Sequence, residues 1–391
     1  MTPPARTQAA IELLDLVIAA AREGGAAADT IVQRYFATRR YAGSKDRRAV
    51  RELVFAAVRA CGEAPASGRA AMLALTETDP ALAATFDGSA HGPAPVGAGE
   101  PIAALGIAPA WLLDALAASG LEAAEFPALI ERAPLDVRVN RLRADPAEIA
   151  ARLPEAEPVA GLPDALRLPA GTDVAPLAGL VEVQDAGSQA VTLAARAEPG
   201  GRIVDLCAGG GGKTLALASL MRDEGRILAS DTDRARLRNL PPRAERAGAT
   251  IAETRLLDPG RELEALADWR GGADCVLVDA PCSGTGTWRR NPEARWRLTP
   301  ERLARLVETQ ARLLRVAAEL VGPGGALVHI VCSLLDAEGR EQADRFLDGH
   351  PGWRAEPLNM AVGRPHGAGY RLTPAHDLTD GFFVARFVRP C

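Results

Sequence analysis

The stretch CAGGGGKT, residues 207–214, follows a short apolar run, RIVDL (202–206), and ends in Gly-Lys-Thr. A strand that feeds a glycine-rich turn and then a helix brings backbone close to a ligand, with unpaired helix N–H groups facing it. Two nucleotide patterns fail here. A phosphate-binding loop needs a glycine at the position of Cys207, and the dinucleotide pattern fits Gly209 and Gly211 but meets Thr214 where its third glycine belongs. A P-loop triphosphatase is therefore disfavoured. What remains is a glycine loop for another ligand, set against a plain flexible turn.

Outward from this loop, strands and helices alternate with short connections beyond about residue 183, the pattern of a doubly wound parallel α/β sheet. Strands are expected at 202–206, 226–231, 250–257, 274–280, 326–333 and 382–388. Ligands in such sheets sit at the carboxyl ends of the strands. Those ends read Asp205 to Gly212, Asp231, Asp258, Asp279 to Gly286, and Cys332 with Ser333. Asp231, in SDTD, has the place of an acid that accepts from ribose hydroxyls, or of a helix N-cap shared with Asp233. Asp258 has a similar place for an adenine edge.

The fourth strand delivers DAPCSGTG (279–286) and the fifth delivers VCS (331–333). Neighbouring strands bring Cys282 and Cys332 to one crevice. A lone cysteine in an apolar strand is usually a small buried hydrophobe. Two at strand ends, one beside an acid and a glycine turn, point instead to nucleophilic catalysis, and a thiolate suits conjugate addition to an electron-poor pyrimidine. The residues alone leave open which thiol attacks. In the following TWRRNPEARWR (287–297), arginines interleaved with tryptophans suit phosphates and unpaired bases, or else pack on a core.

The 391 residues, 48% of them hydrophobic, are enough for two or three domains. No secretory signal or long apolar run is read, so a soluble cytoplasmic protein is expected. Six widely spread cysteines without a CxxC pair suggest neither a zinc site nor a disulfide framework. The net charge of −5 does not announce a nucleic-acid binder. Residues 31–60 do carry eight basic side chains (Arg34, Arg39, Arg40, Lys45, Arg47, Arg48, Arg51 and Arg59) against two acidic ones. That segment is a candidate phosphate-contacting face, or an ordinary solvated helix surface. The only lysines are Lys45 and Lys213, which marks Lys213 in the glycine loop as a candidate for a specific role.

Residues 6–61 have helical apolar spacing, 87–101 are rich in Pro and Gly, and 134–169 alternate as a small α+β segment. The expected division is a helical domain at 1–131, a connecting subdomain at 132–182, and a Rossmann-like sheet domain at 183–391.

Together VQDAGSQ (183–189), CAGGGGKT, SDTDRARL, DAPCSGTGTWRRNPEARW, VCSLLDAEGREQ and DGFFVARF resemble the RsmB/Nop/Sun family of S-adenosylmethionine-dependent RNA cytosine-5 methyltransferases. The resemblance covers nearly all of the chain. SKDRRAVRELVFAAVR resembles the NusB-like RNA-binding domain of the bacterial members. It implies a class I methyltransferase fold in which Cys332 attacks carbon 6 of cytosine, Asp279 assists near nitrogen 3, Lys213 orders the site and Cys282 promotes release. It further implies that S-adenosyl-L-methionine is held by Cys207, Ala208, Gly209, Gly210, Gly211, Gly212, Lys213, Asp231, Arg236, Asp258 and Asp279. The implied partner is ribosomal RNA, with transfer RNA as the alternative, and neither metal, membrane nor more than a monomer is called for. Two positions depart from the family: Gly210 stands for proline, and Val331 for threonine before the nucleophile. They motivate a second reading, a non-catalytic RNA-binding assembly factor that retains the cofactor site.

Overall fold

The computed structural model describes residues 1–391. Local signals set the helices of the N-terminal region: α1 (Pro3–Glu23), α2 (Ala28–Ala37), α3 (Ser44–Ala60), α4 (Gly68–Thr76), α5 (Pro80–Ala83) and α6 (Ala110–Ala118). Thr2 caps α1 by accepting from the Ala5 N–H at 3.3 Å, and Gly24 ends it in the left-handed region at φ 73°. Helical spacing gathers Leu13, Leu14 and Val17 of α1 with Val50, Val54 and Val58 of α3 into one apolar core.

The chain divides into two compact units. The first is Met1–Arg132 with Thr287–Pro300, and the second is Ala133–Gly286 with Glu301–Cys391. Two of the expected boundaries change. The segment 132–182 folds within the second unit, and 287–300 leaves the sheet domain to join the helices.

That second change decides between the two readings of TWRRNPEARWR in favour of packing on a core. Arg295 is fully buried at the end of α3, where its Nη2 donates to the carbonyls of Val58 (2.6 Å), Arg59 (3.0 Å) and Cys61 (2.8 Å). Trp296 donates its indole N–H to the same Cys61 carbonyl at 3.0 Å and joins the helical core, and Trp288 is fully buried. The last carbonyls of a helix lack intrahelical partners, and a guanidinium there satisfies them while its charge complements the helix dipole. Burial lowers the Arg295 pKa to about 10, so it is still charged at neutral pH.

The second unit begins with a small antiparallel sheet of β1 (Leu135–Val139), β2 (Glu157–Pro158), β3 (Ala165–Leu168) and β4 (Val181–Val183) in the order β2-β3-β1-β4. The large sheet comprises β5 (Arg202–Asp205), β6 (Arg226–Asp231), β7 (Ala252–Leu256), β8 (Ala273–Asp279), β9 (Val321–Val331), β10 (Arg354–Ala355), β11 (Arg364–His366), β12 (Gly369–Leu372) and β13 (Phe382–Val388). Its order is β11-β12-β13-β9-β8-β5-β6-β7, with β10 paired to β13. Strands β5 to β9 run parallel and β13 is antiparallel to β9. All six expected strands are present, while β10, β11 and β12 were not foreseen, being short and carrying proline, glycine and charged residues. The order reverses between β5 and β8, a switch point where loops from two strand ends diverge and leave a crevice. No helix is long and apolar enough to cross a membrane.

Arg295→Ala leaves the carbonyls of Val58 and Arg59 without this donor and that of Cys61 with Trp296 alone. We expect a loss of about 3 kcal/mol or more in urea unfolding of the helical unit, and Arg295→Lys, which lacks the fork, should recover only part of it.

Candidate active site

The glycine loop closes on itself before any ligand is considered. Gly209 (φ 54°) and Gly211 (φ 85°) occupy the left-handed region, and an added Cβ would meet Arg236 Nη2 at 2.6 Å or Leu240 Cδ1 at 2.2 Å. Gly211 precedes the helix Gly212–Leu220, which no side chain caps, so its first N–H groups open toward the loop. Asp231 at the end of β6 accepts the Gly209 N–H at 2.7 Å and the Asp233 N–H at 2.7 Å. The N-cap of the next helix is Asp233 itself, which accepts from Ala235 and Arg236 at 2.8 and 3.1 Å. Of the two readings of Asp231, the shared cap is therefore excluded, and its carboxylate fixes the glycine loop.

Asp205, at the end of β5, is wholly buried. Its Oδ2 accepts from the Thr214 hydroxyl at 2.7 Å, while its Oδ1 has no partner. Burial raises its pKa to about 7. Burial and the carboxylates of Asp231, Asp205 and Asp279 push the Cys207 thiol well above its ordinary value, so this cysteine lines the loop as a neutral group. Gly210 lies outside the left-handed region. Its carbonyl accepts from Arg243, whose other nitrogen pairs with Glu182 at 2.6 Å. Asp258 is exposed beyond β7, and its carboxylate makes no hydrogen bond.

Across the switch point, Lys213 Nζ donates to Asp279 Oδ2 at 2.6 Å and lies 5.6 Å from the centre of the Phe382 ring. Burial alone would lower the lysine pKa, but the charge and hydrogen bond of Asp279, with further help from Cys332 and Asp205, hold it above its usual value. The ammonium is thus charged at all working pH values.

Beside this pair the two chemical cysteines meet, Cys282 Sγ and Cys332 Sγ being 3.3 Å apart. The hydrogen bond to Cys332 and burial push the Cys282 thiol well above its ordinary range. Cys282 therefore keeps its proton, and Cys332 is placed so that its sulfur acts on Lys213. The four expected catalytic residues are thus two coupled pairs at the ends of β8 and β9 and the start of one helix.

The reading of the sequence missed what holds these loops. Glu338, fully buried, accepts the Ser283 N–H at 2.8 Å, the Ser283 hydroxyl, and the Gln310 amide at 2.9 Å. Gln310 also donates to the carbonyl of Pro281 at 2.9 Å. The Ser333 hydroxyl lies 3.1 Å from both the Ser283 and Thr285 hydroxyls, and the Gly286 N–H donates to the Cys332 carbonyl at 3.0 Å. The signal was there in VCSLLDAEGREQ, a carboxylate six residues beyond the cysteine, but nothing in its spacing told buried from exposed. Val331, the second departure from the family pattern, is fully buried in the apolar cluster of the sheet.

A parallel sheet in this order, with a glycine loop after its first strand and acids at the following strand ends, is a Rossmann-like class I methyltransferase fold beside an all-helical N-terminal region. The family model of the 16S rRNA methyltransferases RsmB/F matches residues 190–388, and the chain belongs to that family. It is 39% identical over 64% of its length to a probable ribosomal RNA small subunit methyltransferase B of Synechocystis, and 35% identical over 72% to ribosomal RNA small subunit methyltransferase B of Xanthomonas campestris. These alignments span 59% and 66% of the relatives' own lengths. The solved structure of PH0851 is 23% identical, with a TM-score of 0.77 over 99% of both chains, and carries the fold alone.

His329 on β9 yields a pH test of the frame behind the site. It is fully buried, its Nε2 lies 3.0 Å from the Glu338 carbonyl, which makes that nitrogen the donor, and its Nδ1 has no partner. Burial lowers its pKa to about 4. In the unfolded chain it protonates near pH 6.5, so stability is fully present above that value and is lost as pH falls toward 4. Between about pH 7.5 and about pH 5 this histidine should cost about 2 kcal/mol of unfolding free energy, and His329→Gln should flatten that part of the profile in urea melts.

Proposed function

We propose that this chain is an S-adenosylmethionine-dependent RNA cytosine-5 methyltransferase acting on ribosomal RNA, as a cytoplasmic monomer. The observation that carries the proposal is the pair of sulfurs 3.3 Å apart beside the Lys213–Asp279 pair. A binding protein has no need of two thiols held in this way.

The residues present fit the cofactor. Asp205 has a buried acceptor without a partner, and the helix after the glycine loop begins uncapped; both suit the charged methionine end. The loop 207–213 with Arg236 would hold that end, Asp231 the ribose hydroxyls, and Asp258 the adenine edge. When bound, S-adenosylmethionine supplies the methyl group as an electrophile.

The chain's own residues account for the rest of the chemistry. Cys332 Sγ adds to carbon 6 of the cytosine, and its electron pair moves through the ring toward carbon 5 and nitrogen 3. Asp279, hydrogen-bonded to the Lys213 ammonium, passes a proton from it to nitrogen 3 and so stabilises the electron-rich ring. After methylation, Cys282 gives its proton to the departing Cys332 sulfur and takes the proton from carbon 5, so the Sγ–C6 bond breaks as the ring double bond re-forms. The base must be unpaired or flipped, because carbon 6 is out of reach in a stack. Basic residues of the helical unit would contact the RNA backbone.

The second reading, a non-catalytic assembly factor, rested on Gly210 and Val331. Val331 packs in the core, and a Cβ at Gly210 would meet only the Arg243 guanidinium at 3.3 Å, so neither change reaches a reacting group.

With cofactor and RNA containing 5-fluorocytidine, the wild type should form a covalent complex stable to denaturing electrophoresis. Cys332→Ala should form none and lose at least about a thousandfold in methyl transfer. Cys282→Ala should accumulate a complex even with ordinary cytosine. Equal trapping by Cys332→Ala and wild type would refute the nucleophile assignment. Bisulfite sequencing of ribosomal and transfer RNA, with and without the gene, identifies the base.

A further inference from the structure

Strand β13 begins at Phe382 and runs antiparallel to β9 with Phe383 opposite Val331, so the segment 373–381 that leads into it lies at the same edge of the sheet as Cys332. The end of this segment is packed on the cysteine loops. Gly381 donates its N–H to the Gly286 carbonyl at 2.7 Å, Gly286 donates in turn to the Cys332 carbonyl at 3.0 Å, and a Cβ at Gly381 would meet Gly286 Cα at 2.8 Å. The next residue, Phe382, has its ring centre 5.6 Å from Lys213 Nζ. Leu378 stands three residues before Gly381, so its Cα lies within about 11 Å of that contact.

Leu378 is 61% exposed, the most exposed large apolar side chain of the second unit, and it ends the short helix Pro374–Asp377 in the left-handed region at φ 55°. Of the non-glycine residues with positive φ it is the only apolar one. A lone exposed leucine is ordinary on any surface, but glycine or asparagine takes a left-handed helix end without the crowding that a leucine Cβ brings. The strain is held from outside. Arg167 donates to the Leu378 carbonyl at 2.9 Å while gripping the buried carboxylate of Asp136 at 2.8 and 3.1 Å. Asp377 accepts the N–H groups of Gly363 and Thr373 at 2.6 and 2.8 Å, and the Asp380 N–H donates to Asp185 at 3.0 Å. The backbone is thus fixed on both sides of Leu378, and its side chain projects into water. Strain kept in place by so many contacts marks a position with a use beyond folding.

We propose that Leu378 is a wedge for the RNA, its side chain entering the stack beside the target cytosine and filling the gap left when that base turns into the crevice. Apolar side chains part base steps in this way, and a base that leaves its stack gives up contacts that something else has to replace. Lys213, Asp279 and the two cysteines act on the extruded base, and none of them is an apolar group that could stand in for it. A pinned backbone suits the task, because a wedge on a yielding loop would move before the stack did. This rests on the proposed methylation of an RNA cytosine and names the residue that holds the strand open for it.

The test uses the full chain and the stretch of ribosomal RNA around the cytosine that bisulfite sequencing locates, with 2-aminopurine as that cytosine's neighbour. Binding of the wild type should raise the 2-aminopurine fluorescence as the stack opens. Leu378→Gly should bind without that rise and lose about tenfold in kcat, while Leu378→Met, apolar and of similar volume, should keep both within about twofold. Because glycine relieves the strain, the urea midpoint of Leu378→Gly should equal or exceed that of the wild type, which separates a lost wedge from a lost fold. A Leu378→Gly chain that methylates as fast as the wild type overturns the wedge, as does one whose loss of activity comes with a lowered urea midpoint. Sedimentation showing a wild-type dimer that Leu378→Gly dissociates would assign the leucine to a contact between copies and overturn it as well. A wild type that transfers no methyl group to RNA sinks the proposed activity and the wedge together, whereas an active wild type matched by Leu378→Gly sinks the wedge alone.

Discussion

An ammonium and a carboxylate 2.6 Å apart, Lys213 and Asp279, span the point where the sheet order reverses. Two opposite charges taken mostly out of water are tolerable only when paired with good geometry, since either one alone would bear a large desolvation cost. That requirement fixes the start of the helix after the glycine loop relative to the end of β8. Through β8 and β9, neighbours in parallel register, it also places Cys282 and Cys332. The only lysine outside the helical unit is thus spent on a constraint that a bulky planar guanidinium would satisfy differently.

Around this pair, each group at the strand ends answers a particular demand. Asp231 holds the glycine loop closed through the Gly209 N–H, Thr214 satisfies half of the Asp205 carboxylate, and Glu338 holds the Ser283 turn. Glu338 lies beyond β9 but grips the loop beyond β8, so the two cysteine loops are fixed to each other rather than separately to the sheet. A sulfur pair at 3.3 Å depends on such mutual support, because a shift of one loop by an ångström would break the contact between the thiols.

Much of the sheet was legible in the sequence, and so was the meeting of Lys213, Asp279, Cys282 and Cys332 at one edge of it. Strand ends are marked by abrupt changes from apolar runs to acids, glycines and cysteines, and parallel topology carries those ends to one edge. Glu338 and Gln310 were not legible, because whether a carboxylate is buried depends on which distant groups face it. The segment TWRRNPEARWR stayed open between two readings for a related reason. Arginine and tryptophan serve equally well to grip RNA or to cap a helix and fill a core, and only the destination of the chain decides. Arg295 found the carbonyls of Val58, Arg59 and Cys61, more than two hundred residues earlier.

Arginine shows the same ambiguity across the whole chain. With only two lysines, nearly every positive charge is a guanidinium, so counting basic residues cannot separate structural from binding roles. Partnership separates them. Arg295 is buried against three carbonyls and Arg51 is paired with Asp29, whereas Arg34, Arg40 and Arg48 have no partner in the fold. A guanidinium with unanswered donors in water is cheap to keep and adds little to the stability of the unit that carries it. The +6 segment therefore resolves into side chains that hold the helices and side chains that stay exposed and unpaired.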